Sequence, residues 1–317
     1  MILNFDRSFF KVSRCLSNIA HVNDKKDITD KQYAETTGII VRLGVLLDQE
    51  FLSQFLRLNF VATITTGIDH IDNEHCKKNN IHVISLKGET KFLEKIHATP
   101  EHTWGLILSL IRRVPWAALS VENSCWDRNL FVGEELFEKT LGIVGFGRIG
   151  KILSGYAIAF GMNVLAYGES DFNGKKFGVK KVGLTTLLNE SHIISIHLPL
   201  EKKTKNFINK EHFQSMKLRP WFINTARGAI VNEDALLEAL NEGLIKGAAL
   251  DVLSNETWFK NKKPVNKLIE YMKSNTNLII TPHIAGTTVE AMAKTALFIE
   301  DKIITFYPDL AVNKEKG

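Results

Sequence analysis

The sequence is poor in cysteine. Only three occur among 317 residues, Cys15, Cys76 and Cys125, and they lie far apart without paired spacing. A disulfide framework or a structural zinc site needs paired cysteines, so we expect neither. Sparse, unpaired cysteines are typical of a reducing compartment, and we therefore expect a cytoplasmic protein.

Long apolar runs are also missing. The longest, Trp104–Ile111, is far shorter than the ~20 residues that cross a bilayer. The first residues show no basic segment followed by an apolar stretch, so no secretory signal is predicted. We therefore expect no association with a membrane.

Charge is not concentrated anywhere in the chain. The net charge is +5, and the densest basic stretches are short and fall in predicted loops or helix starts: Lys175–Lys181, Glu201–Lys205 and Lys260–Lys267. A nucleic-acid-binding surface would cluster its basic residues, so we expect no nucleic-acid partner. Five histidines lie between His70 and His102, but their spacing places no ligand pair on one helix face, and no metal site is predicted.

From about Thr140 onward, short apolar strands alternate with helical patterns. Strands that are apolar on both faces and separated by helices indicate a parallel sheet covered on both sides, and six of them favour a dinucleotide-binding Rossmann fold. The predicted strands are Leu141–Gly145, Asn163–Tyr167, His192–Leu198, Trp221–Asn224, Ala248–Val252 and Leu278–Ile280. The predicted helices are Ile149–Phe160, Leu184–Asn189, Lys210–Met216, Glu233–Asn241 and Val265–Met272.

The first hundred residues repeat this pattern on a smaller scale. The predicted fold class is α/β with two doubly wound parallel-sheet domains, a Rossmann domain of residues 100–287 inserted in a smaller, flavodoxin-like domain of residues 1–99 and 288–317. An amphipathic helix, Pro100–Leu119, would join the domains, and a last helix, Val289–Phe306, would pack on the small one. The small domain's predicted strands are Ile2–Phe5, Gly38–Val41, Phe60–Ile64 and Ile81–Ile84, and its helices Gln49–Leu56 and Asp72–Lys78.

A glycine-rich turn connects the first predicted strand and helix of the large domain. Leu141–Lys151 contains the pattern Gly145-x-Gly147-x-x-Gly150. The first glycine permits a tight turn, the second lets a pyrophosphate approach the backbone, and the third allows close packing of helix and strand. A purely structural turn is the alternative, but strand, turn and helix are all in place, so the motif favours dinucleotide binding.

Three side chains suited to acid–base chemistry follow the last three predicted strands: Arg227, Glu256 and His283. The carboxyl ends of parallel strands share one edge of the sheet, where ligands bind. A guanidinium can hold a carboxylate by two parallel hydrogen bonds, and a histidine oriented by a carboxylate can supply a proton. Singly, the three could be a surface ion-pair partner, a loop carboxylate and a buried histidine. Together, beside a dinucleotide turn, they predict a catalytic trio.

The chain resembles the D-isomer-specific 2-hydroxyacid dehydrogenases, which include phosphoglycerate, glycerate and D-lactate dehydrogenases. The resemblance covers nearly the whole chain, through motifs at Thr66–Asp72, Glu101–Thr103, Leu141–Lys151, His197–Pro199, Asn224–Gly228, Ala248–Glu256 and Thr281–Gly286. It implies an oxidoreductase that transfers a hydride between NAD(H) and a small 2-keto or 2-hydroxy acid. Arg227 would bind the substrate carboxylate, and His283 would be the acid/base with Glu256 as its partner.

The resemblance also implies the remaining site residues and the assembly. Residues 100–287 would bind NAD, and residues 1–99 with 288–317 would form the substrate domain, in which the amides of Thr66 and Gly67 hold the acid. The domains would close over substrate, and the helix from Pro100 would help to form a homodimer. The predicted cofactor-binding residues are Gly145, Gly147, Arg148, Ile149, Gly150, Glu169, His197, Pro199, Thr225, Ala226, Asp251, Ala285 and Gly286.

Three positions depart from the family pattern. Gly168 replaces the usual ribose-binding aspartate, and Glu169 is the nearest carboxylate; no nearby arginine would receive a 2′-phosphate, so NAD is expected ahead of NADP. Thr257 stands where proline is usual. The loop Leu86–Thr99 is longer than usual, and its lysines either meet an anionic substrate or, as we favour, form a solvated face: Lys87, Lys91 and Lys95.

Two other functions are compatible with this sequence. One is a corepressor-like, regulatory NAD(H)-binding protein without significant turnover, and the other is a dehydrogenase for phosphite or formate. The intact trio disfavours the first, and nothing at the predicted mouth of the site calls for the second.

Overall fold

The chain folds into two units, each built on one sheet. The computed structural model describes residues 1–6, 9, 13, 15–168, 172–254, 256 and 266–312. Unit 1 consists of Met1–Ile96 and Thr287–Gly317, and unit 2 of His97–Gly286. All strand pairs within each sheet are parallel, as the buried, apolar strands predict.

Unit 1 contains a five-stranded sheet in the order β2-β1-β3-β4-β5, which is the flavodoxin-like arrangement. Its strands are β1 (Ile2–Asn4), β2 (Ile19–His21), β3 (Gly38–Val41), β4 (Phe60–Thr63) and β5 (His82–Ile84). Its helices are α1 (Asp30–Glu35), α2 (Gln49–Leu52), α3 (Asn73–Lys78), α4 (Thr90–Leu93) and, at the end of the chain, α12 (Val289–Phe306). The predicted small doubly wound domain is confirmed.

The terminal helix α12 packs on one face of this sheet, as predicted. Ala296, Ile299 and Ile303 are fully buried against side chains of the central strands, such as Ile40 and Phe60. The opposite face is covered by α2, whose Phe51 and Leu52 lie in a second apolar cluster. Both faces of the sheet are therefore covered by apolar side chains.

Unit 2 contains a seven-stranded sheet in the order β12-β11-β10-β9-β6-β7-β8, the Rossmann order with one strand added. Its strands are β6 (Thr140–Val144), β7 (Asn163–Tyr167), β8 (Lys180–Lys181), β9 (Ile193–Ile196), β10 (Trp221–Asn224), β11 (Gly247–Leu250) and β12 (Leu278–Ile280). Its helices are α5 (Ala98–Ile111), α6 (Val114–Glu122), α7 (Arg148–Ala159), α8 (Leu184–Glu190), α9 (Lys210–Ser215), α10 (Glu233–Asn241) and α11 (Lys267–Ser274). The predicted Rossmann fold is confirmed.

The prediction of one helix over Pro100–Leu119 is wrong, because the chain bends by 62° between α5 and α6. Arg113 adopts a left-handed φ of +56° at the break. Pro115 follows in the first turn of α6 and has no amide hydrogen to donate to the carbonyl of Ile111, which instead accepts from the amide of Glu134. In the part of the chain that the structure describes, no single helix is long and apolar enough to cross a membrane.

Candidate active site

The glycine-rich turn joins β6 to α7, where it was predicted. Gly145 has a φ of +104°, and a Cβ there would lie 2.6 Å from the carbonyl carbon of His197. A Cβ at Gly150 would lie 2.7 Å from the Gly145 carbonyl oxygen, so helix and strand approach closely. Gly147 is the N-cap of α7, with open space where its Cβ would be and no side chain capping the helix. The first amides of α7 therefore fit a pyrophosphate.

His197 lies behind this turn, just after β9. Its amide donates to the Val144 carbonyl at 2.7 Å, and its Nε2 lies 2.8 Å from Ser195 Oγ. Removal from water lowers the pKa of the His197 imidazole to about 3, so the ring is neutral at physiological pH. A neutral ring suits the predicted role of lining the cofactor site better than that of a proton donor.

Glu256 and His283 form a hydrogen-bonded pair between Glu256 Oε1 and His283 Nδ1. The other carboxylate oxygen, Oε2, accepts from the Leu253 amide at 3.3 Å, which fixes the carboxylate. The side chains are 28% and 19% exposed, so a ligand can reach them. Because Nδ1 is engaged by Glu256, proton exchange with a ligand would use Nε2 of His283.

Arg227 stands in the turn after β10. Asn224, the last residue of that strand, shapes the turn, since its side-chain nitrogen donates to the Arg227 carbonyl and its Oδ1 accepts from the Ala226 amide, both at 3.0 Å. The guanidinium donates to the Ala226 carbonyl at 2.7 Å. A Cβ at Gly228 would lie 2.1 Å from the carbonyl carbon of Leu253. The turn that carries Arg227 thus packs directly on the turn after β11.

Asp251, the first residue after β11, is fully buried and holds the turn after β12. Its Oδ1 accepts from the Thr281 hydroxyl at 2.5 Å and the Ile284 amide at 2.9 Å, and its Oδ2 accepts from the Ala285 amide at 2.8 Å. Its carbonyl accepts the His283 amide at 2.8 Å. Burial alone would raise the pKa of Asp251, but hydrogen bonds from neighbouring side chains and amides outweigh it, and the pKa is lowered.

The other predicted cofactor residues lie at the same carboxyl edge of the unit 2 sheet or at the start of α7. Their contacts with a dinucleotide stay predictions. Thr225 is buried, with its Oγ1 2.8 Å from Thr103 Oγ1 on α5. The rest occupy the first turn of α7 and the residues after β9, β10 and β12: Arg148, Ile149, Pro199, Ala226, Ala285 and Gly286.

The predicted substrate loop, Thr66 and Gly67, follows β4 in unit 1. The Thr65 hydroxyl donates to the Gly67 carbonyl at 2.7 Å and lies 2.8 Å from Thr63 Oγ1. Thr63 Oγ1 in turn lies 3.2 Å from Nε2 of the buried His70. These contacts fix the turn, and its binding of an acid stays a prediction.

The carboxyl end of β7 is the predicted place of the adenosine ribose. A Cβ at Gly168 would lie 3.5 Å from Phe146 N and 3.6 Å from Phe172 Cε1, which are ordinary contact distances, so a side chain would fit there. Glu169 and Thr257 lie outside the described residues.

The segment Leu86–Thr99, predicted as a loop, contains the short helix α4 and the start of α5. Its Glu89 pairs with Lys302 of α12 at 2.6 Å, and three lysines are exposed: Lys87, Lys91 and Lys95. Among the described residues, no group of three His, Cys, Asp or Glu side chains is placed to hold a metal ion.

Comparison with known proteins places the chain in a family. Residues 104–285 match the family model described as "D-isomer specific 2-hydroxyacid dehydrogenase, NAD binding domain". The D-3-phosphoglycerate dehydrogenase of Bacillus subtilis is 35% identical over 298 residues, 93% of this chain and 53% of that protein. The hydroxypyruvate reductase of Thermotoga maritima is 32% identical over 283 residues, 88% of this chain and 87% of that protein.

The chain belongs to the D-isomer-specific 2-hydroxyacid dehydrogenase family. Among solved structures, the D-lactate dehydrogenase of Aquifex aeolicus, complexed with NAD and lactic acid, has a TM-score of 0.82 and 28% identity, with 100% of both chains covered. The family model supports NAD as the cofactor and confirms the predicted resemblance. The chain spans about half the length of the phosphoglycerate dehydrogenases that it matches.

Proposed function

We propose that this chain transfers a hydride between NAD(H) and a small 2-keto or 2-hydroxy acid of the D configuration. The observation that carries the proposal is the hydrogen bond between Glu256 and His283 at the ligand-binding edge of the NAD-binding domain. The three residues of the trio follow β10, β11 and β12, which are neighbours in the sheet. The turn that carries Arg227 packs on the turn after β11.

In this proposal, Arg227 binds the carboxylate of the acid through the planar fork of its guanidinium. The same positive charge polarises the neighbouring carbonyl group. NAD(H), when bound, supplies or accepts the hydride at the carbon of that carbonyl.

His283 handles the proton. In the reducing direction, Nε2 donates a proton to the carbonyl oxygen as negative charge develops there, which yields the hydroxyl group. Glu256 accepts from Nδ1, keeps the ring in one orientation and stabilises its charged form before the transfer. In the oxidising direction, the neutral ring accepts the hydroxyl proton.

We also propose that the protein is a homodimer and that it is cytoplasmic. The described structure pairs none of the three cysteines, which suits a reducing compartment. Helix α6 has no buried residue although it is rich in large apolar side chains, and such a surface commonly meets a partner.

A substrate panel tests the activity. Glyoxylate, pyruvate, hydroxypyruvate and 3-phosphohydroxypyruvate are each mixed with NADH or NADPH, and loss of the reduced cofactor's absorbance is followed. We expect turnover of at least one acid, faster with NADH. Tight NADH binding without turnover of any acid would contradict the proposal and favour a regulatory, NAD(H)-sensing protein.

The variant His283→Ala tests the assigned proton donor. We expect kcat to fall about 10²- to 10⁴-fold, the usual contribution of general acid–base catalysis, with the Kd for NADH nearly unchanged. The matched control is His212→Ala, since His212 lies on α9 and its imidazole hydrogen-bonds to Asn209 at the start of that helix. Loss of NADH binding in the His283 variant would assign that residue a structural role instead.

A further inference from the structure

His102, on helix α5, contacts the buried carboxylate behind the His283 turn. Its Nε2 lies 3.3 Å from Asp251 Oδ1 and 3.2 Å from Thr281 Oγ1. A carboxylate only accepts, and the Thr281 hydroxyl already donates to Asp251 at 2.5 Å, so the Nε2 of His102 carries the proton that both oxygens share. The imidazole thus completes the hydrogen bonding of a carboxylate whose side chain is 0% exposed.

Asp251 in turn holds three successive backbone amides. Its carbonyl accepts from His283, and its two carboxylate oxygens accept from Ile284 and Ala285. His283 has a φ of +54°, in the left-handed region that residues with a side chain rarely adopt. A residue stays in that region only where its surroundings hold it. Here the surroundings are the three bonds to Asp251.

We infer that His102 is a positioning residue, which acts through Asp251 to hold the His283 imidazole against Glu256. His102 itself has no contact with Glu256 or His283 among the described hydrogen bonds. The inference rests on the proposed function only in that the imidazole so positioned is the proposed proton donor. The sequence places His102 and Asp251 far apart, and only the packing of α5 against the unit 2 sheet brings them together.

The physical reason is the balance of bonds at the carboxylate. Without the imidazole donor, Oδ1 of Asp251 keeps two donors, and a buried ionised group with an unfilled acceptor site is destabilised. The carboxylate then shifts or admits water, and its hold on the amides of Ile284 and Ala285 weakens. The left-handed turn relaxes, and the His283 ring moves away from its productive position.

Three variants test the inference. His102→Leu removes the donor, His102→Gln restores an N–H donor on a side chain of similar reach, and His97→Leu is the control. His97 precedes the same helix and is exposed, with Nδ1 3.4 Å from the Tyr156 hydroxyl and no link to Asp251. Four quantities are measured: kcat, the Kd for NADH, the melting temperature and the hydrogen exchange of the amides of residues 284 and 285.

In His102→Leu we expect both amides to exchange at least about tenfold faster. We expect kcat to fall about ten- to a hundredfold, since a small misplacement of a reacting group has an effect of this size. The Kd for NADH should rise much less than kcat falls, because Asp251 and Ala285 are only two of the predicted cofactor-binding residues. His102→Gln should recover most of both losses, and His97→Leu should match the parent protein.

Unchanged exchange and kcat in His102→Leu would overturn the inference. A His102→Gln variant as defective as His102→Leu would also overturn it. So would a His102→Leu variant whose NADH affinity falls by the same factor as its kcat and whose melting temperature falls as well. The exchange measurement needs no turnover. A parent protein that reduces no acid would therefore contradict the proposed function, while the exchange rates would still decide whether His102 holds the turn.

Discussion

At the scale of single residues, the geometry of a charged group matters as much as the sign of its charge. Arg227→Lys keeps the positive charge but replaces a planar fork by a point charge, which cannot make two parallel bonds to a carboxylate. We expect kcat/KM for the preferred 2-keto acid to fall about ten- to a hundredfold, the loss of one hydrogen bond to a charged group, with NADH affinity unchanged. Steady-state kinetics and NADH fluorescence titration measure both.

Arg219→Lys is the matched control, because Arg219 bonds to the Gly243 carbonyl at a distant, exposed position of the same unit. It should leave kcat/KM unchanged. If Arg227→Lys also left kcat/KM unchanged, Arg227 would not be the residue that binds the carboxylate.

Gly168 is the second position where one residue decides a property. A Cβ at Gly168 would have only ordinary contact distances around it, so the Gly168→Asp variant should fold normally. Its carboxylate should lie beside the ribose hydroxyls. That carboxylate would bond to the ribose of NADH and repel the 2′-phosphate of NADPH. We expect the ratio of kcat/KM for NADH to that for NADPH to rise about tenfold or more. Gly168→Asn, which has no charge, should raise it less, and an equal rise would show that repulsion contributes nothing.

At the scale of elements, the N-cap glycine of α7 and the two glycines within that helix should respond differently to one added methyl group. Gly147→Ala meets open space in the protein, so its stability should fall only by the small amount that a poorer N-cap costs. Its NADH affinity should fall more clearly, because the methyl stands where the pyrophosphate would approach. Gly150→Ala meets the Gly145 carbonyl oxygen at 2.7 Å and should lower the melting temperature. Gly155 is exposed in mid-helix, so Gly155→Ala should stabilise by about 0.5–1 kcal/mol without affecting NADH.

Thermal unfolding and NADH titration on the three variants separate these effects. A Gly147→Ala protein with parental NADH affinity would mean that the dinucleotide does not approach the N-terminus of α7. A Gly155→Ala protein with weakened NADH binding would mean that a methyl group anywhere on α7 disturbs the cofactor, and the effect of Gly147→Ala could then not be assigned to contact with the pyrophosphate.

The sequence predicted the elements that are long, apolar and regularly spaced. The strands Asn163–Tyr167, Trp221–Asn224 and Leu278–Ile280 have the predicted bounds, because each is an apolar run between polar turns. The edge strand Lys180–Lys181 was not predicted, since two exposed lysines carry no apolar pattern. The break at Arg113 escaped detection because apolar residues continue across it at helical spacing.

The candidate site was predictable where function depends on local sequence. Strand ends pointed to Glu256 and His283, and the structure brings these two together. The motif at Glu101–Thr103 gave no sign that His102 meets Asp251, because that contact depends on how α5 packs on the sheet. Long-range packing leaves no periodic trace in a single sequence.

At the scale of the whole molecule, the uncovered apolar surface is concentrated at α6 and the segment after it. Large side chains there are exposed, among them Trp126 at 88% and Val132 at 76%, and α6 buries none of its residues within the chain. A stable dimer buries about 1,600 Å² in total, with aromatic residues prominent at its centre. We therefore expect this surface to be the interface of the proposed homodimer.

Trp126→Glu puts a charge into that surface and should convert the dimer to a monomer, because an unpaired charge in an apolar interface costs several kcal/mol. Size-exclusion chromatography with light scattering measures the mass at several concentrations. The control is Leu56→Glu, since Leu56 is 90% exposed but belongs to unit 1, whereas α6 belongs to unit 2, and this variant should remain a dimer. A parent protein that is monomeric at all concentrations would contradict the homodimer. Dissociation by Leu56→Glu and not by Trp126→Glu would place the interface on the other unit.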